Sequence, residues 1–181
     1  SLTGIDLDPR VLENPFLKYA LHGDFCDFDF EGKRYDFIFS RMVLEHIEEA
    51  DAFMKTLSNT LSLNGVSVHQ TTSRYYLTSI MNGYVSAGLK QWLIKNLGSG
   101  NDAENIFPAY YRLNSSKNVH DLSKKYGLLC KIDYIDAPPG YVRKSLILMI
   151  AYVIIMKPLL LIFPKLRPMM IVSFFNGPKS A

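Results

Sequence analysis

Short apolar runs that end on a polar residue alternate with helix-spaced segments over the first 72 residues. Thr3 to Asp6 is such a run and reads as a buried strand closed by an acid. A turn at Asp8-Pro9 follows, then a short helical or irregular piece through Val11 to Asn14. "YALHGD" predicts a second strand ending at Gly23-Asp24, and the aromatic, β-branched "YDFIFS", Tyr35 to Ser40, a third. In "EEADAFMKTLSNTL" the residues Ala52, Phe53, Leu57 and Leu61 fall at helical spacing, with acids in the first turn and Asn64-Gly65 as the expected stop. "GVSVHQTT" then returns to strand pattern. Strand, crossover and strand in this succession predict an α/β chain with a parallel sheet.

After residue 72 the pattern changes. Ser73 to Ser116 is tyrosine-rich and mostly helical in character, with a glycine-rich break at "GSGND". A helix from about Val119 to Tyr126, stopped by Gly127, leads into a strand over "LLCKIDYID", and "RPMMIVSFFNGPK" supplies a last strand. Between these strands lies "YVRKSLILMIAYVIIMKPLLLIFPKLRP". Its unbroken apolar stretch, Leu146 to Met156, has 11 residues, short of the roughly 20 that span a bilayer, and Lys157-Pro158 interrupts it. From Ala137 onward the charged side chains are all cationic: Arg143, Lys144, Lys157, Lys165, Arg167 and Lys179. Three readings stand open for 143–166: a helix buried in the core or in a dimer, an interfacial helix on anionic lipid, or a true span. The chain is therefore expected to be one partial domain over 1–181, with an acceptor-side lid insert at 73–116 and an apolar helical insert at 141–166.

Composition narrows the classes. Of 181 residues 48% are hydrophobic and 20% charged, so a folded chain is expected. A net charge of +3 with no basic, aromatic-interleaved stripe excludes a nucleic-acid footprint. Cys26 and Cys130 lie too far apart for a CxxC motif and are expected to be reduced and buried. No cationic-then-apolar leader opens the sequence, which points to a cytoplasmic chain, in contact with the inner face of the membrane if the lipid reading of 143–166 holds.

Three pieces in order, "GIDLDP", "HGDFCDFDFEGKRYDFIFSRMVLEHI" and "LSLNGVSVHQTT", resemble the class I S-adenosylmethionine-dependent methyltransferases of small-molecule type (methyltransferase domain 11/23-like) over roughly the first 75 residues. "SRMVLEHI" is the most specific piece. The resemblance implies a Rossmann-like doubly wound sheet with S-adenosyl-L-methionine bound at the carboxyl ends of its strands. It puts the ribose on Asp6 and an apolar wall for adenine at Leu7; a surface turn acid is the alternative for Asp6. It gives the adenine amine to Asp24 and a ring nitrogen to the N–H of Phe25, unless Asp24 merely closes an Asx turn after Gly23. Backbone groups of Ser40 and Arg41 would face the methionine part. His46, next to Glu45 in "LEHI", is either a general base toward the acceptor or a packing and capping histidine. Some relatives hold a metal with an acid where this chain has Met42, so no metal is expected, and His69 reads as a core or edge residue. Tyr75, Tyr76, Tyr84, Trp92, Phe107, Tyr110, Tyr111 and Arg112 would line the lid or simply pack it, and "FPAYYRLNS" resembles a stretch found near the acceptor in some bacterial members.

The departure from the family is as informative. Its glycine turn, D-x-G-x-G, is absent: Gly4 is inside a strand and "GSGND" comes too late in the strand order. About 30 residues of strand, loop and helix are expected before residue 1, making this sheet truncated at its N-terminus, short of its central strand and one cofactor wall. The expected function is methyl transfer to oxygen or nitrogen of a small-molecule, lipid or glycan acceptor, with impaired cofactor binding by this chain alone. The alternatives are a noncatalytic, membrane-associated module that keeps the fold, and a nicotinamide-dependent oxidoreductase. The last has no role for "SRMVLEHI" and lacks a Tyr-xxx-Lys set.

Overall fold

The computed structural model describes residues 1–76, 108–138, 140–143 and 145–177. Among these, six strands form two sheets. β1 (Thr3–Asp6) and β2 (Tyr19–His22) pair in parallel, Gly4 opposite Ala20. Gly4 has a packing reason: a Cβ there would lie 2.5 Å from Cδ1 of Leu17, which sits directly on the strand. A short 3₁₀ helix, Pro9–Glu13, connects the two strands.

The second sheet has the order β3-β4-β6-β5, built from β3 (Tyr35–Arg41), β4 (Leu61–Thr72), β5 (Leu129–Ile135) and β6 (Met169–Phe175). β3 and β4 are parallel, and β6 runs antiparallel to both β4 and β5, so β3, β4 and β5 share one direction. Among the described residues no strand joins β1 to β3. The architecture is the expected Rossmann-like α/β fold, its described strands divided between two sheets.

Helix α1 (Ala50–Thr60) crosses from β3 to β4 and buries Phe53, Met54 and Leu57; of the expected stripe, Phe53 and Leu57 are buried on it, Ala52 is half-buried and Leu61 opens β4. It ends at Thr60 rather than at Asn64-Gly65. Residues 61–65 instead open β4 as an irregularity: Tyr35 pairs with Leu61, but Phe37 already pairs with Val66. The cause is a long-range clamp by Asn176. Its Nδ2 donates to Leu61 O at 2.9 Å, its N–H to Gly65 O at 3.1 Å, and its carbonyl accepts from Asn64 N at 2.7 Å. Asn64 takes a left-handed φ of 63° at this point.

Helix α2 (Ser116–Lys125) starts ahead of Val119 because Ser115 caps it, its hydroxyl accepting from Asn118 N at 3.3 Å. It stops as expected at Gly127, whose φ of 70° lets Leu128 N return to Ser123 O at 2.9 Å. α1 and α2 cover one sheet face. Leu44, Phe53, Met54, Leu57, Leu113, Val119, Met170, Val172 and Phe174 make its core, with Ile38 and Ile132 packed against it. On the other face Phe37 and Phe39 stack at 5.8 Å and remain about 60% exposed (59% and 61%).

The segment before β6 holds α3 (Gly140–Arg143), α4 (Leu146–Ala151), a π-helical turn over Tyr152–Met156, and α5 (Lys157–Ile162). Val142, Tyr152 and Leu160 form a second small core with Met149, Met156 and Leu166. Among the described residues no helix is long and apolar enough to cross a membrane.

Candidate active site

Parallel strands place their carboxyl ends together, and the acids expected from the sequence stand at two of those ends. Asp6 closes β1 and lies opposite His22, the last residue of β2. The loop after it is built from two nested turns. Asp6 Oδ1 accepts from Asp8 N at 2.9 Å, and Asp8 Oδ1 accepts from Arg10 N at 2.9 Å. Asp8 is further paired with the Arg10 guanidinium, whose hydrogen bonds hold its carboxyl down at about 2. Asp6 therefore does serve as a turn acid through Oδ1, while Oδ2 has no hydrogen-bond partner among the described residues. Leu7 is 63% exposed, and its carbonyl accepts from the His22 imidazole Nε2 at 3.0 Å.

Asp24 lies two residues beyond the end of β2, past Gly23. Its Oδ1 accepts from Cys26 N at 2.8 Å, an Asx turn that aims the backbone of Phe25 and buries its ring against Phe53 (5.2 Å) and Phe30 (5.6 Å). Thr56 Oγ1 donates to Cys26 O at 2.8 Å, so this loop is fixed to α1. Both cysteines are free thiols and half-buried rather than buried. Burial first, then the Asp24 carboxylate, pushes the Cys26 thiol up to about 12, which removes it as a nucleophile.

At the end of β3 the Ser40 hydroxyl points inward and shares a 2.7 Å hydrogen bond with Nδ1 of the buried His69. Arg41, the last residue of β3, is exposed. Met42, next in sequence, has φ 57° and donates its N–H to Gln70 O at 2.8 Å, a strained step of the sort found where a strand end is bent into a site. Among the described residues no group of three His, Cys, Asp or Glu is arranged for a metal.

A 3₁₀ turn, Leu44–His46, follows. The half-buried His46 donates from Nδ1 to Pro108 O at 2.8 Å. Glu45 faces the opposite way and is 3% exposed. Its Oε2 accepts from Thr71 Oγ1 at 2.6 Å, and its carbonyl accepts from Tyr110 N at 2.8 Å and Tyr111 N at 3.2 Å. Asn114 completes this buried cluster, its Nδ2 donating to Thr71 Oγ1 and Thr72 O, both at 2.7 Å. Glu45, Thr71 and Asn114 thus tie the residues after Pro108 to the end of β4 and hold His46 between them. Thr71 and Asn114 carry no sequence signal of this role. Asn114 stands in "LNSS", where only the cap at Ser115 is periodic with anything.

Of the expected lid aromatics, Tyr76 is buried, Tyr75, Tyr110 and Tyr111 are half-buried, and Arg112 is exposed. Tyr84, Trp92 and Phe107 lie outside the described residues.

Carboxylates thus stand at or just past the ends of the parallel strands β1 and β2, and a histidine follows the end of β3. Residues 1–128 match the family model described as a methyltransferase domain, and the chain belongs to that family. No curated protein sequence matches it. Among solved structures it is similar to phosphoethanolamine N-methyltransferase 2 of Haemonchus contortus, in complex with phosphomonomethylethanolamine and S-adenosylhomocysteine. That match has 16% identity and a TM-score of 0.55, covering 97% of this chain and 43% of the nematode chain. It is also similar to an S-adenosylmethionine-dependent methyltransferase of Mesorhizobium loti (12% identity, TM-score 0.59, 96% and 79% covered). A third is the N-methyltransferase NodS of Bradyrhizobium japonicum with S-adenosylhomocysteine (13% identity, TM-score 0.52, 97% and 66% covered). The chain spans less than half the length of the nematode enzyme.

Proposed function

We propose that this chain is the adenosine-holding and acceptor-facing part of an S-adenosylmethionine-dependent methyltransferase for a small-molecule acceptor, lipid and glycan headgroups included. The observation that carries the reading is the placement of Asp6 and Asp24 at or just past the carboxyl ends of adjacent parallel strands in a chain of the methyltransferase-domain family. Asp6 Oδ2 takes the ribose hydroxyls while Oδ1 keeps the turn, and Leu7 lies against the adenine. Asp24 accepts from the exocyclic amine and Phe25 N–H donates to a ring nitrogen. The backbone at Ser40 and Arg41 faces the methionine portion. When bound, the cofactor supplies an electrophilic methyl group on sulfonium. What remains for the protein is alignment, exclusion of water and removal of a proton. His46 takes that proton from the acceptor. A small, charged acceptor in the nematode neighbour's complex supports the acceptor class.

The donors present fit the nucleoside half of the cofactor better than its methionine half. Among the described residues no glycine-rich turn stands beside β1, and the facing edges of β1 and β3 have no strand between them. The methionine end therefore gains little when this chain binds alone. Ligand-detected NMR titration tests the whole reading: adenosine and S-adenosylhomocysteine bind this chain weakly and with equal affinity. Asp6→Asn weakens both by about tenfold, the loss of one charge-assisted hydrogen bond. Much tighter binding of S-adenosylhomocysteine than of adenosine, or an unaltered Asp6→Asn variant, refutes it.

A further inference from the structure

The helical segment that precedes β6 carries an inside and an outside that do not match an ordinary surface helix. Met149, Tyr152, Met156 and Leu160, spaced three and four residues apart, form a narrow inward stripe over the second core. The Tyr152 hydroxyl donates to the Asp136 carboxylate, and Arg167 donates from Nη1 to Tyr134 O at 2.9 Å and from Nε to Leu160 O at 3.3 Å. The segment is thereby tied at Tyr152 to the residue after β5, and Arg167, just past it, bonds both to β5 and to the segment's own Leu160. Its outward side is not polar. Leu146, Ile147, Ile154, Ile155, Leu161 and Ile162 are each 65–79% exposed, an apolar surface far beyond what scattered surface residues produce.

Charge decides what can cover it. Arg143 and Lys165 stand at the two ends of the segment and Lys157 midway, all exposed, and none takes part in an ion pair among the described residues. No Asp or Glu occurs from Ala137 to the last residue. A second copy seated on this face would bring the same cations together with no acid of the segment to receive them. A span is excluded by length: Leu146 to Ile162 is about 25 Å of helix against a hydrocarbon core of about 30 Å. An anionic bilayer surface meets both features at once, taking the aliphatic side chains below its headgroups and the cations among them. An open depression of about 300 Å³ at α5 is lined by Asp136, Lys157, Leu160, Leu161 and Arg167.

We propose that the 143–166 segment is a membrane-surface anchor that lies in the headgroup layer of an anionic bilayer, with Leu146, Ile147, Ile154, Ile155, Leu161 and Ile162 inserted. The anchor works independently of the methyl-transfer chemistry. Flotation of the 181-residue chain with vesicles of phosphatidylcholine, alone or mixed equally with phosphatidylglycerol, tests it, since aggregated protein sediments and does not float. The chain floats with the mixed vesicles at low salt, and partitions at least about tenfold less at high salt or with phosphatidylcholine alone. Ile147→Glu with Ile154→Glu, at outward positions where the fold measured by circular dichroism is unchanged, abolishes flotation. Lys157→Glu weakens it on the order of tenfold. The proposal fails if the chain does not float at low salt, or if both variants float as the parent does. It also fails if sedimentation velocity finds, without flotation, a dimer that the double variant dissociates.

Discussion

His69 is held inside β4 between the rings of Phe53 (5.6 Å) and Phe174 (5.8 Å), and burial alone pushes its pKa down to about 4. The unfolded chain protonates the same imidazole near 6.5. Its folded pKa is therefore depressed, so its contribution to stability is complete above about 6.5 and is lost as pH falls through about 4. A shift of this size corresponds to about 3 kcal/mol across that window. Chemical denaturation at a series of pH values shows this as a falling stability below about 6.5, and the part due to His69 disappears in His69→Phe, whatever that variant's absolute stability. The same residue orients the Ser40 hydroxyl, which shares a 2.7 Å hydrogen bond with His69 Nδ1. In the sequence a histidine at an inward position of "GVSVHQTT" already reads as a core residue. Its bond to Ser40, 29 residues away, had no local mark.

At the scale of elements, helix and strand spacing carried most of the fold; the early start of α2 comes from a local cap, and the departure at the start of β4 from contacts distant in sequence. Phe53 and Leu57 on α1 and the Gly127 stop are local properties and appear where expected. The start of β4 is not local, because the bulge after Leu61 depends on Asn176 at the far end of the chain. Gly65 is the residue this bulge cannot replace: a Cβ there would lie 2.8 Å from the Ser62 backbone oxygen and 3.0 Å from Leu61 Cδ1. Gly65→Ala is expected to lower stability by about 1–3 kcal/mol, the usual cost of overpacking against atoms that cannot move aside. Ser115→Ala removes the α2 cap and costs about 1 kcal/mol. Denaturant midpoints check both, and a Gly65→Ala variant as stable as the parent would show that the bulge relaxes freely. The candidate site divides in the same way. Strand-end acids can be read from a sequence because a strand's end is local, whereas the Glu45, Thr71 and Asn114 cluster joins three separate segments.

For the whole molecule, the interruption between β1 and β3 sets the order of stability. β1 and β2 contribute no side chain to the fully buried core, whereas β4 and β6 supply His69, Met170, Val172 and Phe174. What holds the small sheet to the rest is the loop after β2, through Phe25 on Phe53 and Cys26 O on Thr56. Opening of β1 and β2 therefore sacrifices little apolar burial, and its amides are expected to exchange with deuterium ahead of those of β4 and β6. The open edge of β3 and its stacked Phe37 and Phe39 face solvent at the same place, a surface that invites strand pairing between copies. Phe37→Lys with Phe39→Lys charges this face at positions outside the core, so light scattering should report less self-association while the denaturation midpoint stays put. Unchanged scattering would mean that β3 is not where copies meet. Hydrogen exchange of β1 and β2 as slow as that of β4 would mean that the interruption does not divide the molecule energetically. In that event the two sheets open as one unit, and Asp6 belongs to a rigid site rather than to its most labile edge.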